Sequence, residues 1–230
     1  MRALTAEELL IAAERFRLEP LPRRGAALLA IAAAPGEDTM ALPIGERDGR
    51  LMALRAATFG RDLTAIASCP ACSECVEVTL DAAAFAAKPT ASEEVEVHAE
   101  GRVVRARVPN GHDVLAAMTA GDARRALLER CIVDGDASVL PDEVLAAVEE
   151  QLERADPRAD LRLALTCPAC STQWNDAFDI TSFFWTEINL AATRLAREVH
   201  TLAAAYGWRE ADILAMTPWR RQLYVELVIA

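Results

Sequence analysis

Apolar residues recur at two periods along this chain, and the changes of period mark its elements. From Thr5, the positions Leu9, Leu10, Ala13 and Phe16 continue at helical spacing, and Thr5 with Glu8 makes the pattern of a capping box. Pro20 and Pro22 are expected to end that helix. A second Ala- and Leu-rich segment, Arg24 to Ala34, stops at Pro35-Gly36, and a third is expected from Asp48 or Gly49 to Phe59. These three helices would form an N-terminal region packed by small residues.

Strand-like spacing follows. Leu63 to Ala67 and Val76 to Leu80 are short apolar or alternating runs suited to a hairpin, and Asp81 is expected to cap a helical turn carrying Phe85. The clearest alternation runs from Glu94 to His98 and from Val103 to Val108; joined by Glu100-Gly101, it predicts a β-hairpin. Helical spacing resumes at Asp113, breaks at Thr119-Ala120-Gly121, and resumes with Asp122 as a cap. Pro141 opens a further helix, Asp142 to Arg154, closed before Pro157. Leu161 to Leu165 and Trp174 to Phe178 then supply two more strands. Phe184, Ile188, Leu195, Val199, Leu202 and Tyr206 lie along one long helix stopped by Gly207. A short helix carries Ile213-Leu214, and Thr217-Pro218 starts a last one carrying Leu223, Val225, Leu227 and Val228.

Two of these strand pairs belong to an internal repeat. Asp62-Leu63 leads to Cys69-Pro70-Ala71-Cys72-Ser73, and Asp160-Leu161 leads to Cys167-Pro168-Ala169-Cys170-Ser171; each copy runs on to an Asp (Asp81, Asp179) and a Phe (Phe85, Phe183) without a gap in register. A Cys-x-x-Cys knuckle aims two sulfurs at one point, so two knuckles predict a tetrahedral site for one structural zinc ion held by Cys69, Cys72, Cys167 and Cys170. The competing reading is a pair of redox-active dithiols. A thioredoxin-type site needs its Cys-x-x-Cys at the start of a helix in a βαβ pattern, whereas each pair here follows one strand-like run and precedes another. Cys75 stands one step past Cys72, but its counterpart in the second copy is Gln173, which predicts a bystander. Cys131, in an apolar run, is expected to be a buried small hydrophobe. Four protein thiolates leave no open coordination position, which argues for a metal that holds shape and against a metal-dependent hydrolase.

Hydrophobic residues make up 53% of the 230 residues, enough for a sizeable core, and much of that content is Ala, which favours helix. The formal net charge of -11 repels phosphate backbones and weighs against nucleic acid as a partner. No apolar run has the length of a membrane span, and Glu7, Glu8 and Glu14 interrupt any signal-peptide layout. The expectation is a soluble cytoplasmic protein with reduced cysteines and no membrane partner. His98, His112 and His200 are scattered, and neither a catalytic triad, an acid/base pair nor a phosphate-binding glycine loop emerges, so no enzymatic activity and no small-molecule substrate are expected.

The C-terminal part differs in character. All 4 Trp, both Tyr and half of the 6 Phe fall between Trp174 and Tyr224. Acidic and basic residues balance from Thr181 onward. Aromatic weight without net charge suggests either the main core or a contact surface, with Trp185, Tyr206, Trp208, Trp219, Arg220, Arg221 and Tyr224 as candidate partner-contact residues and Arg194 and Arg197 as further rim charges.

The segment from Leu163 through Cys167-Pro168-Ala169-Cys170, Trp174, Phe178-Asp179-Ile180, Phe183-Phe184-Trp185, Glu198-Val199-His200, Ala205-Tyr206-Gly207-Trp208 and Ile213-Leu214 to Arg220-Arg221 and Tyr224 resembles the T4-type phage baseplate proteins of contractile tails and contractile injection systems. The Pro109-Asn110-Gly111-His112-Asp113 helix start is similar more loosely. The resemblance implies a non-enzymatic baseplate or hub component, or a chaperone that helps hub and tape-measure proteins assemble, with hub, tube or tape-measure proteins as partners and possible incorporation into the finished particle. A zinc-ribbon regulator of nucleic acid or transcription machinery is the alternative that the knuckles motivate.

The expected fold class is α+β and mostly helical: a four-cysteine, zinc-ribbon-like double knuckle with an inserted small α/β module and a helical C-terminal segment. Residues 1–60 would form the N-terminal helical region. Residues 61–86 and 160–180 would be the two halves of the ribbon-like unit, with 87–159 inserted between them and 181–230 as the C-terminal segment.

Overall fold

A computed structural model describes residues 1–85, 94–134 and 137–229. The fold is α+β and helix-rich, with small antiparallel sheets. Three helices open the chain: α1 (Ala6–Arg15), α2 (Leu21–Ala32) and α3 (Ile44–Phe59). The capping box of α1 forms as expected: the Thr5 hydroxyl accepts from the Glu8 N–H at 3.2 Å and the Glu8 carboxylate accepts from the Thr5 N–H at 2.9 Å.

Two helix starts differ from expectation. Pro22 does not end a helix but sits in the first turn of α2, where a missing N–H costs nothing. α3 starts at Ile44, ahead of Asp48, because its first N–H groups find acceptors far along the chain. Ile44 N donates to the Pro109 carbonyl at 3.1 Å and Gly45 N to the Asp156 carboxylate at 2.8 Å.

Among the described residues, three two-stranded antiparallel hairpins follow. The first pairs β1 (Asp62–Ser68) with β2 (Cys75–Asp81) and ends in a 3-10 turn, Ala82–Phe85; the Asp81 carboxylate accepts from Arg61 at 2.7 Å. The second pairs β3 (Glu94–Ala99) with β4 (Arg102–Arg107) around the Glu100-Gly101 turn, with both residues at positive φ. The expected boundary at residues 86 and 87 lies outside the described residues.

The helices α4 (Gly111–Ala117), α5 (Ala123–Cys131) and α6 (Asp142–Ala155) come next, with Asn110 and Asp122 as side-chain caps of the first two. Pro141 is the residue before α6, not within it. The third hairpin pairs β5 (Arg162–Thr166) with β6 (Gln173–Ala177). The chain closes with α7 (Ile180–Tyr206), α8 (Glu210–Leu214) and α9 (Pro218–Ile229).

Among the described residues, buried apolar side chains gather in two clusters. One joins Leu28, Leu51, Leu54 and Leu63 to Phe184, Ile188 and Leu195, so α7 is the post around which α1–α3 and the first hairpin pack. The other joins Val97, Val104 and Ala106 of the second hairpin to Leu128, Val144, Val148 and Leu152 of α5 and α6. The inserted residues therefore carry a core of their own.

Gly45 marks where the insertion meets the N-terminal helices. A Cβ placed there would lie 1.9 Å from the Asp156 Oδ1. Gly45→Ala is therefore expected to push Asp156 out of its bond to α3 and destabilise the fold by about 1–3 kcal/mol, the usual range for overpacking. A urea unfolding midpoint equal to that of the parent chain would show that this junction does not matter.

Candidate metal centre

The two knuckles are the tips of the first and third hairpins, and they have the same local geometry. In each, the first cysteine donates its N–H to the carbonyl of the residue five positions on and accepts from the serine N–H: Cys69 N to Glu74 O and Ser73 N to Cys69 O, both 2.9 Å; Cys167 N to Thr172 O and Ser171 N to Cys167 O, again 2.9 Å. Ser73 and Ser171 hold φ of 62° and 60°, the left-handed turn that folds each knuckle over its own sulfurs. The sequence repeat is thus a structural repeat.

The fold brings all four expected ligands together: the Sγ atoms of Cys69, Cys72, Cys167 and Cys170 lie within 4.8 Å of one another. The Cys69–Cys170 and Cys72–Cys167 sulfurs are 3.6 Å apart, both contacts running between hairpins. A tetrahedral ion with metal–sulfur bonds of about 2.3 Å separates its sulfurs by roughly 3.8 Å, so the donor set fits a single ion. It does not fit disulfides, whose sulfurs sit about 2.05 Å apart. All six cysteines are free thiols.

Cys69 and Cys167 are buried while Cys72 and Cys170 face solvent, so the centre sits at the surface with its inner half sealed. Without a cation the four sulfurs cannot all ionise. The Cys170 thiol is lowered to about 6, chiefly by the Thr172 hydroxyl at 3.2 Å and then by the Thr172 backbone and the Cys72 thiol. The Glu74 backbone pulls Cys72 down, but hydrogen bonds shared with the Cys170, Cys167 and Cys69 thiols outweigh it and push Cys72 up to about 12. A bound dication removes that conflict by neutralising the thiolates together. Thr172 was not singled out by the sequence; no spacing rule points to a hydroxyl beside a knuckle.

Cys75 begins β2 opposite Ser68, is exposed, and stands outside the sulfur cluster. Its counterpart Gln173 occupies the matching place opposite Thr166. Cys75→Ser is expected to leave the metal content unchanged by mass spectrometry, and loss of metal in that variant would make Cys75 a ligand. Cys131 is fully buried in the second cluster, where burial pushes its thiol up to about 12.

The candidate contact residues of the C-terminal segment separate into two groups. Trp185 packs on the first core with the Arg24 guanidinium 4.5 Å from its ring centroid, and Arg221, only 4% exposed, bonds Glu198 at 2.6 Å and the Met216 carbonyl at 3.3 Å. Arg221 is thus an internal tie between α9 and α7, not a rim charge, because Glu198 on the facing helix takes its guanidinium. Outside, Tyr206 stacks on Trp208 at 4.5 Å, Tyr224 meets both rings edge-on, and Arg220 lies 5.7 Å from the Tyr224 ring. Trp219 is 75% exposed, and Leu223 and Leu227 share its side of α9 one and two turns on.

No described helix is long and apolar enough to cross a membrane. Comparison with known proteins returned no matching family model, no matching curated protein and no matching solved structure.

Proposed function

We propose that this chain is a non-enzymatic structural or assembly protein of a contractile, phage-tail-like particle, a baseplate or hub component or an assembly chaperone, working through protein–protein contacts of its C-terminal segment. The observation that carries the contact surface is the outer side of α9, where Trp219, Leu223 and Leu227 are exposed while Arg221 pins the opposite side to α7. A rigidly held helix with an aromatic anchor and an apolar stripe suits a protein partner. The assignment to a tail particle rests on the resemblance of the segment from Leu163 to Tyr224.

The metal in this reading is zinc, one ion, with a structural role in a ribbon-like unit. Four thiolates select soft or borderline metals, and a single-ion spacing favours zinc over an iron–sulfur cluster. The closed donor set leaves the ion no position for water or substrate. The protein would act in the cytoplasm or within the assembled particle.

Co-purification tests the proposal. Trp219→Ala combined with Leu223→Ser should abolish association with tube, hub or tape-measure proteins while metal content and helix signal stay intact. Undiminished association would sink the contact assignment, and salt-sensitive binding to nucleic acid instead would favour the zinc-ribbon regulator.

A further inference from the structure

We propose that Cys72 is a peroxide-reactive site through which the four-cysteine centre gives up its ion and closes into two disulfides between hairpins, Cys72–Cys167 and Cys69–Cys170. The inference rests on the four cysteines as ligands of one ion and is independent of the tail-particle reading. Each 3.6 Å sulfur contact joins an exposed cysteine of one hairpin to a buried cysteine of the other, Cys72 to Cys167 and Cys170 to Cys69. An oxidant arriving from solvent therefore meets a sulfur whose neighbour lies across the gap. Bringing a 3.6 Å contact to the length of a disulfide takes about 1.5 Å, a movement that side-chain rotation supplies. The contacts span 95 and 101 positions of the chain, so the two disulfides keep the hairpins together once the thiolates no longer hold an ion.

The repeat breaks beside one of the two exposed sulfurs, and the break chooses the point of entry. Thr172 places its hydroxyl 3.2 Å from the Cys170 Sγ, whereas position 74, its counterpart beside Cys72, is an exposed Glu with no hydroxyl to offer. A hydrogen bond to a thiolate draws on the electron pair that would attack, so Cys72 is the better nucleophile. Anionic oxidants are repelled by a chain of net charge -11, while hydrogen peroxide is small and neutral. The Cys72 thiolate attacks one peroxide oxygen, the O–O bond breaks, hydroxide leaves, and Cys72 becomes a sulfenic acid. The Cys167 thiolate then attacks the Cys72 sulfur: the S–S bond forms, the S–O bond breaks and a second hydroxide leaves. Two protons from solvent convert both hydroxides to water, so each disulfide reduces one peroxide to two waters. A second peroxide does the same at Cys170, with Cys69 closing the bond. No thiolate is then left to bind a dication. Cys75 stands outside the sulfur cluster and Cys131 is fully buried in the second core, so neither competes.

The test treats the full zinc-loaded chain with hydrogen peroxide after native mass spectrometry has measured its zinc. Released zinc is followed with a chromogenic chelator, and disulfides are mapped by non-reducing peptide mass spectrometry. Two peroxides should be consumed for each zinc released, the mapped bonds should be Cys72–Cys167 and Cys69–Cys170, and Cys75 and Cys131 should stay free for alkylation. At limiting peroxide, dimedone should label Cys72 ahead of Cys170, and Thr172→Val should raise the label at Cys170 to that at Cys72. Bonds within a knuckle, a Cys72–Cys75 bond, zinc retained after peroxide is consumed, or dimedone label first at Cys170 would each overturn the proposal. Absence of zinc before any oxidant is added would overturn the metal reading and the release with it, whereas wrong disulfide pairs from a zinc-loaded chain overturn this inference alone.

Discussion

Replacing Cys167 with Ser is expected to empty the metal centre and produce one of the two largest losses of stability in the molecule. Cys167 is 1% exposed and its sulfur faces Cys72 across the gap between hairpins, so the substitution removes a ligand from the sealed side of the site. A ligand that binds only the folded chain stabilises it by about 1.4 kcal/mol per decade of free concentration above its dissociation constant, or about 4 kcal/mol at a thousandfold excess. The parent chain should therefore show a melting temperature that climbs with free zinc in a metal buffer and falls on chelation. The Cys167→Ser chain should show neither response. Deuterium exchange should quicken first at the amides of Cys69, Ser73, Cys167 and Ser171, whose hydrogen bonds shape the knuckles, because the two apolar clusters lie elsewhere. A melting temperature indifferent to chelation would mean that the clasp contributes nothing.

The second large effect is expected at Arg55. Its side chain is 4% exposed and joins three parts of the chain: Nε and Nη2 bond the Glu187 carboxylate of α7 at 2.8 and 2.5 Å, and Nη1 bonds the carbonyls of Gly60 and Asp62 at 2.8 and 2.9 Å. Arg55→Ala leaves a carboxylate and two carbonyls without their donor. Breaking a buried pair costs about 3–5 kcal/mol, and the 23% exposure of the Glu187 side chain places the loss toward the lower end of that range. Arg55→Lys should recover little, because one ammonium cannot serve a bidentate carboxylate and two carbonyls together. Urea unfolding of Arg55→Ala, Glu187→Gln and the double variant measures the coupling. A coupling under about 0.5 kcal/mol would show that the two residues act independently.

The elements whose signals lie within a few residues were legible in the sequence. Thr5 with Glu8, the Glu100-Gly101 turn, Gly207 at φ 69° and Thr217 before Pro218 all stand where local rules place them. The hairpins are legible for the same reason, since alternation over five to seven residues specifies a strand and its exposed face. Pro22 misled because proline ends one helix and begins another with equal ease, and the choice depends on what precedes it. Trp185 and Arg221 could not be sorted by residue type. Each is an interface-favoured residue, and each is held instead by an internal partner, Arg24 for one and Glu198 for the other.

The four-cysteine cluster was the most readable long-range feature, and its repeat is the reason. Two identical knuckles with matching flanks can converge on one ion, so chemistry supplies the pairing that periodicity lacks. Sequence by itself determined which four cysteines come together, the described hairpins and the helical C-terminal segment, because each is written in adjacent residues or in a repeated motif. Tertiary structure alone decided where α3 begins, which arginines are buried, and that a cavity opens between α5 and α6. Those outcomes rest on meetings such as Gly45 with Asp156 and Arg55 with Glu187, 111 and 132 positions apart. At such distances the partner is selected by packing, and no local pattern records it.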